Sequence, residues 1–282
     1  MPEILVLGAS GNVGGRLVRL LGSRGERVRA ASREPAGLRG ATSTVALDLE
    51  RPETFGPALV DVDRVFMMAR PGDEQADVFA QPLIEAMREA GVRHVVNLTA
   101  MGADEADHVA ALRRTEAALE SSGLAFTHLR PGFFMQLFSA GPLHQALMTT
   151  GVLQLPAARA QISFIDAEDV AEVAARAFMD RAHEFRAYTL TGAEALDHAQ
   201  AVEHVSRATG KVLRYEPIEE SEVAPMLAPA GFTEARIERF LRFYRLVREG
   251  AAGLLSEDVP RILGRPATRF RDFALRERAS WL

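Results

Sequence analysis

A chain of 282 residues, 48 % hydrophobic and 25 % charged, has the composition of a soluble globular protein of one large domain, or of a domain with a smaller lobe. Its formal net charge of −5 and lack of a dense Lys/Arg tract argue against nucleic acid as a partner. The absence of cysteine removes disulfides, thiolate catalysis and cysteine-ligated metals, and fits a reducing cytoplasm.

Met1-Pro2-Glu3 offers no basic leader, and no apolar run reaches the roughly 18 residues of a membrane span, so neither a secretory signal nor a membrane partner is expected. The first half alternates short apolar runs with amphipathic stretches. Strands are predicted at Ile4–Leu7, Arg27–Ser32, Thr44–Leu47, Val65–Ala69, His94–Thr99 and Phe126–Arg130. Helices are predicted at Asn12–Ser23, Gln75–Ala90 and Asp107–Ser122, with Gly25, Gly91 and Gly123 as left-handed C-caps after them. Apolar strands separated by helices imply a parallel sheet covered on both faces.

Beyond about residue 130 the alternation loosens. Pro131-Gly132 opens the apolar segment Phe133–Phe138. Helices are predicted at Ala167–Met179, Asp197–Thr209, Glu219–Leu227 and Thr233–Glu249, with a short strand at Tyr188–Leu190. The expected fold is α/β, a Rossmann-type doubly wound sheet over residues 1–150. A smaller, mostly helical substrate lobe over 151–282 is expected to interleave with it, beside the carboxyl ends of the strands.

The chemistry begins at the first strand–helix junction, Gly8-Ala9-Ser10-Gly11-Asn12-Val13-Gly14. Gly8 permits the turn out of the strand, Gly11 lets backbone approach a diphosphate, and Gly14 lets the helix pack against the strand. The helix N-terminus then presents amides and a positive dipole end to phosphate. A lone glycine triplet is weak evidence, but between a strand and a helix at the head of an alternating chain it reads as a dinucleotide site. The second strand ends Ala30-Ala31-Ser32-Arg33, with no acid at its tip to hold the ribose of NADH. Arg33 can pair with a 2′-phosphate, so NADPH (NADP) is favoured over NADH. Asp48 and Leu49, after the third strand, are expected near the adenine; a helix or turn cap is the alternative for Asp48.

These motifs, together with Asn97-Leu98-Thr99, Leu129-Arg130-Pro131-Gly132-Phe133-Phe134-Met135, Phe164-Ile165-Asp166 with Asp169-Val170-Ala171, Thr189-Leu190-Thr191-Gly192 and Leu263-Gly264-Arg265-Pro266, resemble the NmrA-like branch of atypical short-chain dehydrogenases/reductases over nearly the whole chain. The resemblance implies an NAD(P)H-binding protein, either a quinone, azo-dye or triphenylmethane-dye reductase or a redox-sensing regulator. It implies a nicotinamide near Met68, Ala69 and Arg70, near Thr99, Ala100 and Met101, and near Pro131, Gly132 and Phe133. Ligands of open parallel sheets also lie beyond the carboxyl strand ends.

The Tyr-x-x-x-Lys pair of ordinary short-chain dehydrogenases is missing. The only lysine is Lys211, and Tyr215 follows it in the reverse order, so both read as structural. Where relatives carry a lysine stands Arg113, which can bind ribose or phosphate but is a poor proton donor. Acceptors that take a hydride with little proton assistance are therefore favoured. Met101, Phe134, Gln136, Phe138 and Phe164 are the expected substrate wall, part of a Met/Phe-rich set suited to flat ligands, with Gln136 orienting a carbonyl. His108 is the best acid candidate and Thr99 the other candidate catalytic residue; His94 and His128 read as core, and no metal spacing is found. The reading is an NADPH-dependent, cytoplasmic reductase of a planar electron-poor small molecule, monomeric or homodimeric. The alternative is a non-catalytic NADP(H) sensor that binds a protein partner.

Overall fold

The computed structural model describes residues 3–70, 73–103 and 109–282; His108 lies outside the described residues. The chain divides into two compact units that interleave along the sequence. The first comprises Met1–Pro131, Ala167–Leu190 and Asp258–Arg265, and the second Gly132–Asp166, Thr191–Glu257 and Pro266–Leu282. The first crossing falls at Pro131/Gly132, not at residue 150.

The first unit is built on a seven-stranded sheet. Its strands are β1 (Glu3–Val6), β2 (Val28–Ser32), β3 (Ser43–Ala46), β4 (Val62–Met68), β5 (His94–Leu98), β6 (Ala125–Pro131) and β8 (Arg186–Leu190), in the spatial order β3-β2-β1-β4-β5-β6-β8. Every pair is parallel. The chain winds outward from β1 to β3, then returns to β4 on the other side, so the order reverses at β1/β4, where such sheets open a crevice for ligands.

Alternate strand residues point to opposite faces. Leu5, Val65, Met67 and Val95 form one core with Phe55 and Leu59 of α2 (Phe55–Leu59), Leu83 and Met87 of α3 (Ala76–Glu89) and Leu119 of α4 (Ala110–Ser121). Ile4, Val6, Phe66 and Val96 are buried on the other face, where α1 (Asn12–Ser23) packs on α6 (Ala167–Met179). Helix α6 and strand β8 were expected in the C-terminal lobe but belong to the sheet unit. Seven of the nine buried positions of α6 are Ala or Val, which allow the close helix–helix and helix–sheet approach. Asp169, buried in α6, pairs with Arg265 at 2.8 Å.

The second unit holds α5 (Pro142–Thr150), α7 (His198–Thr209), α8 (Glu220–Leu227), α9 (Glu234–Arg248), α10 (Phe270–Arg276) and a small parallel pair, β7 (Val152–Leu155) with β9 (Arg214–Pro217). Asp197 starts α7 with a capping box, accepting from Gln200 N at 2.8 Å while Gln200 Oε1 accepts from Asp197 N at 2.9 Å. Phe138, Phe164, Phe270, Phe273 and Trp281 fill its core, and the Trp281 indole N–H donates to Phe138 O at 2.8 Å. Among the described residues no helix is long and apolar enough to cross a membrane.

His198 sits in this aromatic core, stacked on Tyr215 at 5.4 Å, and burial pushes its pKa down to about 4. Burial does the same to His94 of β5, also to about 4. The unfolded chain takes up these protons near the ordinary histidine value, about 6.5, while the folded chain resists until about 4. The folded state therefore binds fewer protons in that window, and stability falls as pH drops through it. Thermal melts should be flat from pH 7.5 to 7 and lose Tm from 6.5 downward, with a shallower slope in His198→Asn. A wild-type profile flat to pH 5 would contradict the neutral buried state.

Candidate cofactor and substrate site

Leaving β1, the chain is tethered on both sides: Leu7 N donates to Phe66 O of β4 at 3.0 Å and Ala9 N to Ala31 O of β2 at 3.1 Å. Between them Gly8 adopts φ +63°, a left-handed turn that a side chain would strain. Gly11 N closes the turn on Gly8 O at 2.8 Å, and Gly15 N makes the first helical bond to Gly11 O at 3.1 Å. Gly11 caps α1 with extended backbone and no side-chain cap bond. The first-turn amides of Asn12, Val13 and Gly14 thus lack an intrahelical acceptor and stand at the positive end of the helix dipole. A Cβ on Gly11 would come 3.1 Å from Gly8 O, and one on Gly14 would come 2.3 Å from the same oxygen. Ser10 and Asn12 are exposed at this turn.

Beside the turn a cavity of about 170 Å³ opens at the ends of β1–β4, lined by Gly8, Ser10, Ser32, Arg33, Leu49 and Ala69 among others. Ser32 Oγ is buried there with no hydrogen-bond partner among the described residues, and Arg33 beside it is exposed. Asp48 and Arg70 complete the wall. Asp48 also does turn work, its Oδ1 accepting from Glu50 N at 3.2 Å and its own N donating to Thr54 Oγ1 at 3.1 Å. Arg70 pairs with Glu50 at 2.6 Å and Asp73 at 3.1 Å, and lies 5.1 Å over the Phe79 ring. Open amides, a cradle that a Cβ would fill and an orphaned buried hydroxyl all fit a dinucleotide.

At the ends of β5 and β6, Thr99 N donates to Leu129 O at 2.8 Å and Met101 N to Pro131 O at 2.9 Å. The Thr99 hydroxyl donates to Glu116 Oε1 at 2.7 Å. Glu116 is fully buried on α4 and gripped by Arg130 of β6, Nε to Oε1 at 3.1 Å and Nη2 to Oε2 at 2.7 Å. Arg113 reaches Glu116 at 3.5 Å but holds Glu120 with two bonds, at 2.8 and 3.0 Å, and keeps that carboxyl below the usual range. Arg113, the expected cofactor residue, is thus already engaged by two acids. Glu116, Glu120 and His128 each bring a ligand atom within 4.8 Å of the others, yet Arg113 and Arg130 already supply the positive charge that a cation would bring. Sequence reading missed the Glu116–Arg130 pair that holds the Thr99 hydroxyl. The available signal was an arginine inside a buried strand, which needs a buried acid.

Within the second unit, Phe133 and Phe134 are half-buried, and the Phe133 ring lies 4.8 Å from that of Phe243. Three expected wall residues are interior instead. Phe138 and Phe164 are 0 % and 1 % exposed and pack edge-to-face at 5.3 Å, so they are core. Gln136 is buried and its amide donates to Asp166 Oδ1 at 2.8 Å, with Arg276 on Asp166 Oδ2 at 2.7 Å, so it ties the unit together rather than facing a carbonyl ligand. Lys211 Nζ donates to Trp281 O, and the Tyr215 hydroxyl donates to Leu155 O at 3.1 Å with its pKa pushed up to about 12 by burial.

Residues 2–252 match the NmrA-like family profile. An NAD(P)H azoreductase from Xenophilus azovorans is 34 % identical over 280 residues, covering 96 % of each chain. The triphenylmethane reductase of Citrobacter sp., solved with NADP(H), shares the fold with a TM-score of 0.83 at 21 % identity, over 98 % of this chain and 99 % of that one. An NADPH-dependent quinone oxidoreductase of Escherichia coli, solved with NADPH, gives the same TM-score at 22 % identity, over 96 % and 98 %. With its Rossmann-like sheet, its glycine turn and an oxidoreductase matched along nearly its whole length, the chain belongs to the NmrA-like family.

Proposed function

We propose that this protein is a cytoplasmic NAD(P)H-dependent oxidoreductase, preferring NADPH, that reduces a planar, electron-poor small molecule such as a quinone, an azo compound or an iminium. The observation that carries this reading is the open amide cradle at Gly8–Gly14 beside the Ser32–Arg33 cavity. The azoreductase relative supports the reaction class. When bound, the reduced nicotinamide supplies a hydride from its C4.

The chain's own residues hold and orient. Asn12 and Val13 amides take the diphosphate, Ser32 and Arg33 the 2′-phosphate, and Asp48 and Leu49 flank the adenosine half. Ala69 and Arg70, expected beside the nicotinamide, line the same cavity as Asp48 and Leu49 and are assigned to the adenosine half with them. The reacting end lies at the carboxyl ends of β5 and β6, at Thr99, Met101 and Pro131. We assign Gly132, Phe133 and Phe134, which follow β6 in the chain, to ligand contact as well. None of the three tyrosines is free to act as an acid: the Tyr188 hydroxyl pairs with His183 at 2.8 Å, Tyr215 donates to a carbonyl, and Tyr244 is buried. The favoured acceptors are those whose reduced form can take its proton from water.

The test mixes purified protein and NADPH with a panel of quinones, azo dyes and cationic dyes and follows the nicotinamide absorbance. Turnover with any acceptor supports the reductase. Tight binding of both redox forms with no oxidation across the panel would replace it with a cofactor-sensing protein.

A further inference from the structure

The Thr99 hydroxyl carries one proton, and both groups that receive it are pure acceptors: Glu116 Oε1 at 2.7 Å and Leu129 O at 3.4 Å. Its backbone is fixed by the bond to Leu129 O, and Glu116 is fixed by two bonds from Arg130. Charge assistance makes the Thr99–Glu116 bond the stronger of the two open to the hydroxyl. Thr99 therefore has only lone pairs left for any ligand. Thr99 keeps 9 % of its surface exposed, whereas Glu116 beneath it keeps none.

We propose that Glu116 and Arg130 are positioning residues that turn the Thr99 proton inward, so that Thr99 Oγ1 accepts a hydrogen bond from the carboxamide N–H of the nicotinamide. The inference rests on the cofactor reading above, and the carboxamide is the one N–H donor on that ring. The arrangement fixes the ring by a bond that only a donor can make. It also removes Thr99 as a source of protons for the reduced product, so its part is to position, not to act as an acid.

The test measures dissociation constants by cofactor fluorescence, using NADPH and its reduced 3-acetylpyridine analogue, which replaces the carboxamide with an acetyl group lacking N–H. Thr99→Val should weaken NADPH about 3- to 10-fold, the loss of one hydrogen bond, and leave the analogue within about twofold. Thr99→Ser, which keeps the hydroxyl, should restore NADPH binding. Glu116→Gln can donate its amide to Thr99 Oγ1 and free the hydroxyl proton to turn outward, which should weaken NADPH and narrow the gap between the two cofactors. If that variant does not fold, the Thr99 pair decides alone. Equal losses for both cofactors in Thr99→Val, or none for either, overturn the proposal. Failure of the wild type to bind either cofactor would instead overturn the cofactor reading.

Discussion

Gly14→Ala is expected to lower NADPH affinity at least about 100-fold and to destabilise the fold by about 3 kcal/mol, the upper end of ordinary overpacking costs. The reason is backbone against backbone. The added Cβ would lie 2.3 Å from Gly8 O, 2.7 Å from Gly8 C and 2.9 Å from Leu7 O, and none of these belongs to a side chain that could swing away. Helix α1 must lift from β1, and the Asn12 and Val13 amides leave the phosphate position with it. The same shift disturbs the packing of α1 on α6, including the Arg16–Glu168 pair at 2.9 Å. At about 2–4 °C per kcal/mol for a chain of this size, Tm should drop roughly 6–12 °C. Gly56→Ala is the control: it sits in α2, exposed, with nothing within 4 Å of an added Cβ, and should leave both quantities unchanged. A Gly14→Ala protein that binds NADPH as the wild type does would remove the cradle from the account.

The sheet unit was legible because buried parallel strands are nearly continuous apolar runs, and because the glycines of the turn each answer a local backbone need. The structure of α2 was not: five residues containing Gly56 and Pro57 carry no helical signal until Phe55 and Leu59 find the core. For α6 the helix could be read but not its place, since a run of alanines says that something packs closely without saying what. Two members of the expected aromatic wall lie in the interior for a related reason. Phe138 and Phe164 have the side chains of a ligand pocket and of a core alike, and only burial separates the two. The Glu116–Arg130 pair joins residues 14 apart on a helix and a strand, a match made in three dimensions and absent from any one-dimensional spacing.

That pair also changes how the absence of Tyr-x-x-x-Lys is understood. Thr99, just past the end of β5, does not replace the tyrosine as a donor, because its proton is committed to Glu116. The two histidines best placed in strands are no substitute, because burial lowers the pKa of both His94 and His128 and leaves them neutral in the interior. If the site positions without protonating, as proposed above, it favours acceptors whose added electron pair is delocalised, the property shared by quinones and cationic dyes.

Arg33→Ala is expected to raise the dissociation constant for NADPH by about 10- to 100-fold, the value of a charge-assisted hydrogen bond to phosphate, and to move that for NADH by less than about threefold. Strand β2 ends at Ser32 without a carboxylate of its own, and Glu34, beyond Arg33, is exposed past the strand. Ser32 Oγ, buried and without a partner among the described residues, gains an acceptor when that phosphate arrives, whereas Arg33 is exposed and contributes mostly charge. The two contributions separate by salt. An exposed guanidinium–phosphate contact is screened over about 10 Å at 0.1 M ionic strength, so the wild-type preference for NADPH should shrink as salt rises and the variant's should stay flat. Arg33→Lys keeps the charge but loses the two-pronged geometry, and should fall between the two. Equal weakening of NADPH and NADH by Arg33→Ala would mean that the arginine supports the adenosine pocket as a whole, and the cofactor preference would then have to come from another part of the cavity wall.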